Sequence, residues 1–501
     1  MENIGYILQV FQPSVMGIML MGVIAGTIIG ALPGLTATMG VALLIPLTFG
    51  MPPVTGLNML IGIYVGAIYG GCISAILIKT PGTPASAATT LDGYPMAQKG
   101  FAANALGMAT IASLIGGIFS SIVLACMAPM LAQVALKFGP AEYFSLAVFG
   151  LTIIATVSGD ILKGMMIGTF GMLLSTVGGD PITGTFRFTF GAMGFAGGIA
   201  FMPALIGLFA ISEVFVQLEN IYDDTVQQVK LSGHIPTFRE VLACWKSLLR
   251  GSIIGTFVGI VPGTGSGVAS WISYNEAKRS SKTPELYGTG YIDGIAATES
   301  ANNAVCGGAL VPLLALGIPG DSVTAVFIGG LMIQGLTPGP MLFQEHADVI
   351  VGLFTGSFVA NIMMGITGLL GIRLYSKVLN IPKKILILAI CLFCFLGSYA
   401  MNGNPVDLFT MLFFGIGGYF LQKFDFSLAA VCIALILGPI AESNLRLAML
   451  SSGGDPWILV TQPISAFFVL LSIFSLFWPI MKKIKAMRRG DPLVNGPKME
   501  V

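Results

Sequence analysis

The sequence predicts an all-α polytopic membrane protein of two inverted repeats, each containing broken helices that form a re-entrant hairpin. Three observations carry that expectation. Of 501 residues, 55% are hydrophobic and only 9% charged. Soluble domains carry roughly 25% charged residues, so this chain cannot coat a water-facing globule. Two apolar stretches are interrupted by the same kind of Pro-Gly break, one near Pro81-Gly82 and one near Pro319-Gly320. Finally, glycine and proline landmarks of the first half return in the second at nearly constant spacing.

That spacing can be read directly. Gly30-Ala-Leu-Pro33-Gly34 answers Gly259-Ile-Val-Pro262-Gly263 at an offset of 229. Gly70-Gly71 answers Gly307-Gly308 at 237, and Pro81-Gly82 answers Pro319-Gly320 at 238. The drift of nine residues marks an insertion in the second half, for which the polar segment Ser273–Gly290 is the candidate. A duplicated unit is the first thing to establish, because it governs every later assignment.

Apolar runs long enough to span or enter a bilayer fall near 14–32, 35–50, 55–78, 103–136, 141–157, 161–178 and 193–218. After a polar stretch they resume near 248–270, 291–318, 322–336, 349–372, 385–400, 405–421, 427–440 and 457–480. The domains expected are a first transmembrane repeat over 1–218, a linker over 219–247, a second repeat over 248–481 and a polar tail over 482–501. Within the linker, Phe238–Leu249 is amphipathic and suits a membrane surface, a small partner subunit or a plain connection.

Lys and Arg set the orientation. The tail (Lys482, Lys483, Lys485, Arg488, Arg489), the cluster Arg373, Lys377, Lys383 and Lys384, and the linker with Lys230, Arg239, Lys246 and Arg250 are placed in the cytoplasm. Counting back from the linker makes 103–136 run outward, while its counterpart 349–372 runs inward to the basic cluster. The halves then have opposite topology, the plan common to many transporters. The N-terminus has no Lys or Arg before Val10 and no small-residue cleavage site after the first apolar run. A removable signal peptide is therefore not expected.

Several classes are excluded. A net charge of +1 points to no nucleic acid. Cys391 and Cys394 have redox spacing but sit in a continuous apolar run, where two small core residues on one helix is the expected role. Gly263-x-Gly265 follows no strand and precedes no Gly-Lys-Ser/Thr, so it is not a nucleotide loop. His234 and His346 are isolated, and no nucleophile-base set or metal cluster is visible. No enzymatic chemistry is expected.

The segment Gly30–Met39, the long run Lys79-Thr-Pro-Gly-Thr-Pro-Ala-Ser-Ala-Ala-Thr-Thr-Leu-Asp-Gly-Tyr-Pro-Met-Ala-Gln-Lys-Gly100 and Gly317-Ile-Pro-Gly-Asp-Ser322 together resemble the TctA family. These are the large membrane subunits of bacterial tripartite tricarboxylate transporters, and the resemblance extends from about Gly17 to Pro479. It implies a multi-pass protein of the bacterial inner membrane, working with a small membrane subunit and a periplasmic solute-binding protein. It further implies import of citrate-like or other organic carboxylates, with Na⁺ or H⁺ as coupling ion and no other cofactor. Likeness to elevator-type secondary transporters is a fold-level analogy. A stand-alone carboxylate or anion transporter, a channel, a membrane enzyme and a scaffold are the competing classes.

Carboxylates entering a low-dielectric region need a basic side chain or free backbone N–H groups at helix N-termini. Basic residues are nearly absent from the apolar runs, which favours the second route. Thr80, Gly82, Thr83 and Ser86 at the first break, and Gly320, Ser322 and Thr324 at the second, are the candidate substrate residues. A Pro-kinked helix capped by its own hydroxyls is the bland alternative. Lys79 suits either a direct salt bridge or a side chain reaching the interface.

A second pair of unwound segments supplies candidate cation ligands in Gly34, Thr36, Gly263, Thr264 and Ser266. Glu299-Ser-Ala-Asn302-Asn303 lies in a helix whose counterpart, about Gly62–Gly66, is apolar apart from Tyr64. Glu299 is therefore a candidate cation or proton site, with Asn302 and Asn303 near substrate; a place at the water interface is its alternative. Asp321 suits a cation ligand and a helix cap equally. Asp92, Lys99, Asp160, Lys163 and Asp180 are expected in loops, solvated or setting topology.

Overall fold

The computed structural model describes residues 2–157, 161–180, 182–191, 193–219, 231–379 and 381–489. Asp160, Lys230 and the end of the polar tail lie outside the described residues. Helices dominate. In order they are α1 (Glu2–Val10), α2 (Pro13–Ala31), α3 (Ala37–Leu44), α4 (Pro53–Ile78), α5 (Thr90–Met96), α6 (Ala102–Ala135), α7 (Pro140–Val157) and α8 (Ile161–Ser175). A two-residue ladder, β1 (Gly178–Gly179) with β2 (Phe186–Arg187), precedes α9 (Phe201–Leu205), which continues through a π-helical turn into α10 (Ser212–Glu219). The chain goes on with α11 (Phe238–Ala243), α12 (Trp245–Ile260), α13 (Gly265–Ser280), α14 (Ile292–Leu316), α15 (Ser322–Ile333), α16 (Leu342–Glu345) and α17 (Ala347–Val378). It closes with α18 (Lys383–Asn402), α19 (Pro405–Lys423), α20 (Leu428–Ser451), α21 (Ile458–Thr461) and α22 (Pro463–Arg489).

Among the described residues, six helical segments are long and apolar enough to cross a membrane: Pro13–Ala31, Pro53–Ile78, Thr90–Ala135, Phe201–Glu219, Ala347–Tyr375 and Leu428–Ser451. Three expected runs differ in the structure, and one of them, 457–480, is two helices parted at Gln462. The run at 193–218 opens with a 3-10 turn, Met193–Phe195, and becomes α-helical only from Phe201. The run at 248–270 is two helices, parted at Pro262-Gly263, and the polar residues Ser273–Ser280 of the candidate insertion continue α13. Between Ser281 and Tyr291 the chain turns through a short 3-10 helix, Pro284–Leu286.

Helix α4 has no charged side chain and is buried at every residue from Val54 to Leu77. A helix that is apolar all round belongs in a core. Helix α14 is equally buried, from Gly294 to Ala315, yet it carries Thr298, Glu299, Ser300, Asn302 and Asn303. The tight packing around both comes from glycine. A Cβ on Gly22, Gly26 or Gly30 of α2 would overlap the carbonyl oxygens of Met59, Ile63 and Ala67 in turn. Gly62, Gly66 and Gly70 of α4 meet the α2 backbone in the same way. In the second half, Gly255 and Gly259 of α12 lie against the Ala301 and Val305 carbonyls of α14. Small residues at four-residue spacing let backbones touch, the packing that membrane helices use in place of a hydrophobic drive.

The chain forms two compact units, each drawing on both halves of the sequence. One comprises Met1–Leu136 and Met202–Tyr419, the other Lys137–Phe201 and Phe420–Val501. Within the second unit, the Asp180 carboxylate accepts from the backbone N–H groups of Ile182 and Thr183 at 2.9 and 3.0 Å and from Arg446 at 2.7 Å. Glu442 bridges Arg446 and Arg187 at 3.0 and 2.6 Å. The donated N–H groups of Thr183 and Ile182, with the Arg446 guanidinium, hold the Asp180 carboxyl well below the usual carboxylate range. Cys391 and Cys394 share α18 as free thiols.

Candidate functional site

The first unit brings both Pro-Gly breaks into its interior. Helix α4 ends at Lys79, whose backbone is left-handed (φ 60°), and α14 ends at Gly317 in the same conformation (φ 74°). The chain then turns back onto its own helix pair. A Cβ on Gly82 would overlap the Gly30 carbonyl oxygen and approach the Gly71 Cα; one on Gly320 would approach the Gly259 carbonyl and the Ala309 Cα, each at 2.6 Å. These neighbours are related by offsets of 229 for Gly30 and Gly259 and of 238 for Gly71 and Ala309, one residue more than the 237 at which the sequence paired Gly71 with Gly308. Each break is thus seated by glycine on a glycine-lined helix pair. No larger residue fits there without moving backbone.

The second break is internally complete. Asp321 caps α15: its Oδ1 accepts from the Thr324 N–H and hydroxyl, both at 2.8 Å, and the Thr324 hydroxyl in turn accepts from the Asp321 N–H at 2.9 Å. The other carboxylate oxygen accepts from the Tyr64 hydroxyl at 2.6 Å, so α4 of the first half braces the break of the second. Ser322 and Thr38 hydroxyls pair at 2.9 Å. The Gly263 N–H donates to the Gly320 carbonyl at 2.7 Å, which ties the unwound segment to the break.

The first break is arranged differently. Thr83 and Ser86 are buried, and their hydroxyls close on the face of Gly71. Glu299, fully buried in α14, accepts from the hydroxyl of Thr89, from Asn302 Nδ2 at 3.2 Å and from Ser113 at 3.4 Å. Asn302 Nδ2 also reaches the Ile68 carbonyl at 3.4 Å and Ser86 Oγ at 3.5 Å. Asn303 Nδ2 donates to the Val65 carbonyl at 3.4 Å. Thr83 Oγ1, Asn302 Oδ1 and Asn303 Oδ1 are buried with no hydrogen-bond partner among the described residues. The hydrogen bonds of the Glu299 and Asp321 carboxylates all come from hydroxyl, amide and backbone donors, not from Lys, Arg or His.

The remaining candidates are placed as follows. Thr80 is exposed, and its hydroxyl donates weakly to the Ile78 carbonyl at 3.5 Å. Gly34 is exposed beside Glu213 and Gln217, and Thr36 caps α3 by accepting from the Met39 N–H at 3.2 Å. The Thr264 hydroxyl donates to the Val258 and Val261 carbonyls, and the Ser266 carbonyl accepts from Ser270. Lys79 points to solvent with its ammonium 5.9 Å from the Tyr94 ring centre.

Asp92 corrects an expectation. It is not a solvated loop charge but is 1% exposed. One carboxylate oxygen accepts the N–H groups of Gly288, Gly290 and Tyr291 at 2.8–2.9 Å, and the other accepts the Tyr274 hydroxyl at 2.9 Å. It organises the turn that follows α13. Thr89, Ser113 and Tyr64 also escaped sequence reasoning as partners.

Long buried helices, several spanning in length, define a multi-pass helical membrane protein with polar side chains buried in its interior. Comparison with known proteins makes this specific. The model of the tripartite tricarboxylate transporter TctA family matches residues 16–433, and the chain belongs to that family, a component of tricarboxylate transporters. The chain is similar to two Agrobacterium vitis proteins. One, described as an uncharacterized 52.8 kDa protein in the TAR-I ttuC' 3' region, is 39% identical over 478 residues and 93% of each chain. The other, from the TAR-II ttuC' 3' region, is 36% identical over 234 residues, 47% of this chain and 97% of its own. No solved structure matches.

Proposed function

We propose that this chain is the large membrane subunit of a secondary transporter that imports citrate-like or related organic carboxylates, driven by a Na⁺ or H⁺ gradient. It works with a small membrane subunit and a periplasmic solute-binding protein, in the inner membrane of a bacterium. The observation that carries the reading is the pair of Pro-Gly breaks seated on matching glycines and packed inside one unit. Interrupted membrane helices of corresponding position are where transporters bind substrate, because broken backbone is tolerated only beside protein or a watery cavity. Helix N-termini offer carboxylates a partner without a basic side chain. The two halves are read as inverted, one moving against a scaffold in the elevator manner.

The test is uptake of labelled citrate, and of a panel of di- and monocarboxylates, into liposomes holding this chain and its small subunit. Saturable uptake that requires both an inward cation gradient and the binding protein is expected. Gradient-driven uptake without the binding protein would favour a stand-alone carrier. No movement of any carboxylate under any gradient would overturn the reading.

A further inference from the structure

We infer that an anionic phospholipid binds at the joined basic ends of α12 and α13, its headgroup on Lys246, Arg250 and Lys278 and its acyl chains along the outer face of α12. This holds whatever the chain transports. Of the roles open to the stretch 238–249, it takes up the membrane surface.

Helix α12 carries its apolar side outward. Its buried face is mostly small or polar, with Ser247, Gly251, Gly255 and Gly259 on it. Its exposed face carries Trp245, Leu249, Ile253, Phe257 and Val261, each four residues after the last. Side chains at that spacing form one continuous ridge along a helix. Phe238 and Leu242 of α11, both exposed, lead into it at similar spacing. Facing water, such a ridge would be a liability; against acyl chains it is the surface to expect.

Charge marks where the ridge meets the headgroups. Between Phe238 and Asp293 the chain has six basic and four acidic side chains, and no basic one lies between Arg250 and Lys278. The Arg250 guanidinium donates to Ser280 Oγ, so the start of α12 and the end of α13 lie side by side. From Arg250 to Val261 the ridge extends about 16 Å at a rise of about 1.5 Å per residue. That is about half of a hydrocarbon core of about 30 Å. Both helices therefore present their charged ends at one level, half a bilayer from the turn at Pro262-Gly263.

These charges are available to a ligand. Lys246, Arg250 and Lys278 are exposed. Among the described residues Lys246 and Lys278 pair with no carboxylate, and the Lys246 ammonium lies 5.8 Å from the Trp245 ring centre. The acids of this region are engaged. Glu276 pairs with Arg279 at 2.7 Å, Asp293 accepts from Ser247 at 2.7 Å and from Tyr287, and Glu240 closes the capping box of α11. A phosphodiester with net negative charge supplies what the cluster lacks, whereas a zwitterionic headgroup brings its own ammonium. Tryptophan beside lysine at the foot of an apolar ridge is the composition of a membrane–water boundary. Basic residues also orient a chain during insertion, but that role makes no distinction between headgroups afterwards.

The test reads binding without transport. The purified full chain is titrated in detergent with phosphatidylglycerol or phosphatidylcholine carrying the same brominated acyl chains. The readouts are melting temperature and Trp245 emission, the latter as the difference between wild type and Trp245→Phe. Phosphatidylglycerol is expected to raise the melting temperature saturably and to quench Trp245, both effects weakening in high salt. Phosphatidylcholine should require a concentration at least about tenfold higher. Lys246→Gln with Lys278→Gln should melt like wild type in detergent alone yet lose at least about tenfold in apparent affinity for phosphatidylglycerol. Lys246→Arg with Lys278→Arg should keep it. Equal responses to the two lipids, or wild-type binding by the double glutamine variant, would overturn the site. So would glycerol phosphate that matches the lipid's effect on melting, which would give the charges to a soluble anion. Quenching abolished by the small membrane subunit would overturn it too and give the ridge to that subunit. None of these results bears on the transport reading, which stands or falls on uptake.

Discussion

Tyr64 donates its hydroxyl to Asp321 Oδ2 across 2.6 Å, joining the middle of α4 to the start of α15, 257 residues away. Both residues are buried in the first unit, and the bond completes the cap at the second break. Tyr64→Phe leaves that carboxylate oxygen buried without its donor. The expected cost is about 1–3 kcal/mol, read as a lower melting temperature. A double-mutant cycle with Asp321→Asn should show a coupling of at least about 0.5 kcal/mol. Additive effects would mean that Thr324 alone holds the carboxylate.

Gly82 and Gly320 are the points where each break touches a helix backbone. Gly82→Leu or Gly320→Leu should abolish uptake while the protein still inserts and is recovered from membranes. Normal uptake by either variant would remove that break from the substrate path.

The Asp92 carboxylate gathers three backbone N–H groups and one hydroxyl. Charge-assisted bonds of this kind contribute about 1.5–3 kcal/mol each before non-additivity. Asp92→Ala should cut the yield of folded protein severely, and Asp92→Asn, which keeps an acceptor oxygen for the turn, should lose less. Equal yields for wild type and alanine would show that the turn forms without its anchor.

Asp180 titrates below its ordinary range in the folded chain. Because the folded value lies under the unfolded one, the ties around it are at full strength above the ordinary carboxylate range near pH 4 and fade only as pH falls below it. A spin label on Phe188→Cys, next to the ladder, should keep constant mobility from neutral pH down to about pH 5 and loosen in stronger acid. Loosening already between pH 7 and 6 would point to a group other than Asp180.

What could be read in the sequence was whatever acts along the chain. Apolar length located α2, α4, α6 and α17, and the Pro-Gly landmarks lie just past the ends of α4 and α14. Helix α13 was missed in part because its residues, from Ser273 to Ser280, are too polar to register as a membrane segment. The links between halves were not legible at all. Asp92 in its motif gives no hint that its donors lie nearly 200 residues away, and Thr89 gives none that it meets Glu299. Such contacts depend on how two buried helices cross, which no local pattern records.

The glycine seam between α2 and α4 has a mechanical consequence. Where peptide groups touch, shifting one helix along the other by a single residue drives a β-carbon into a carbonyl. The pair can be engaged or parted, but it cannot slide. In any conformational change the pair therefore moves as one rod. Two reporter groups placed across this seam would keep a fixed separation and serve as an internal ruler against which every other displacement in the chain can be measured.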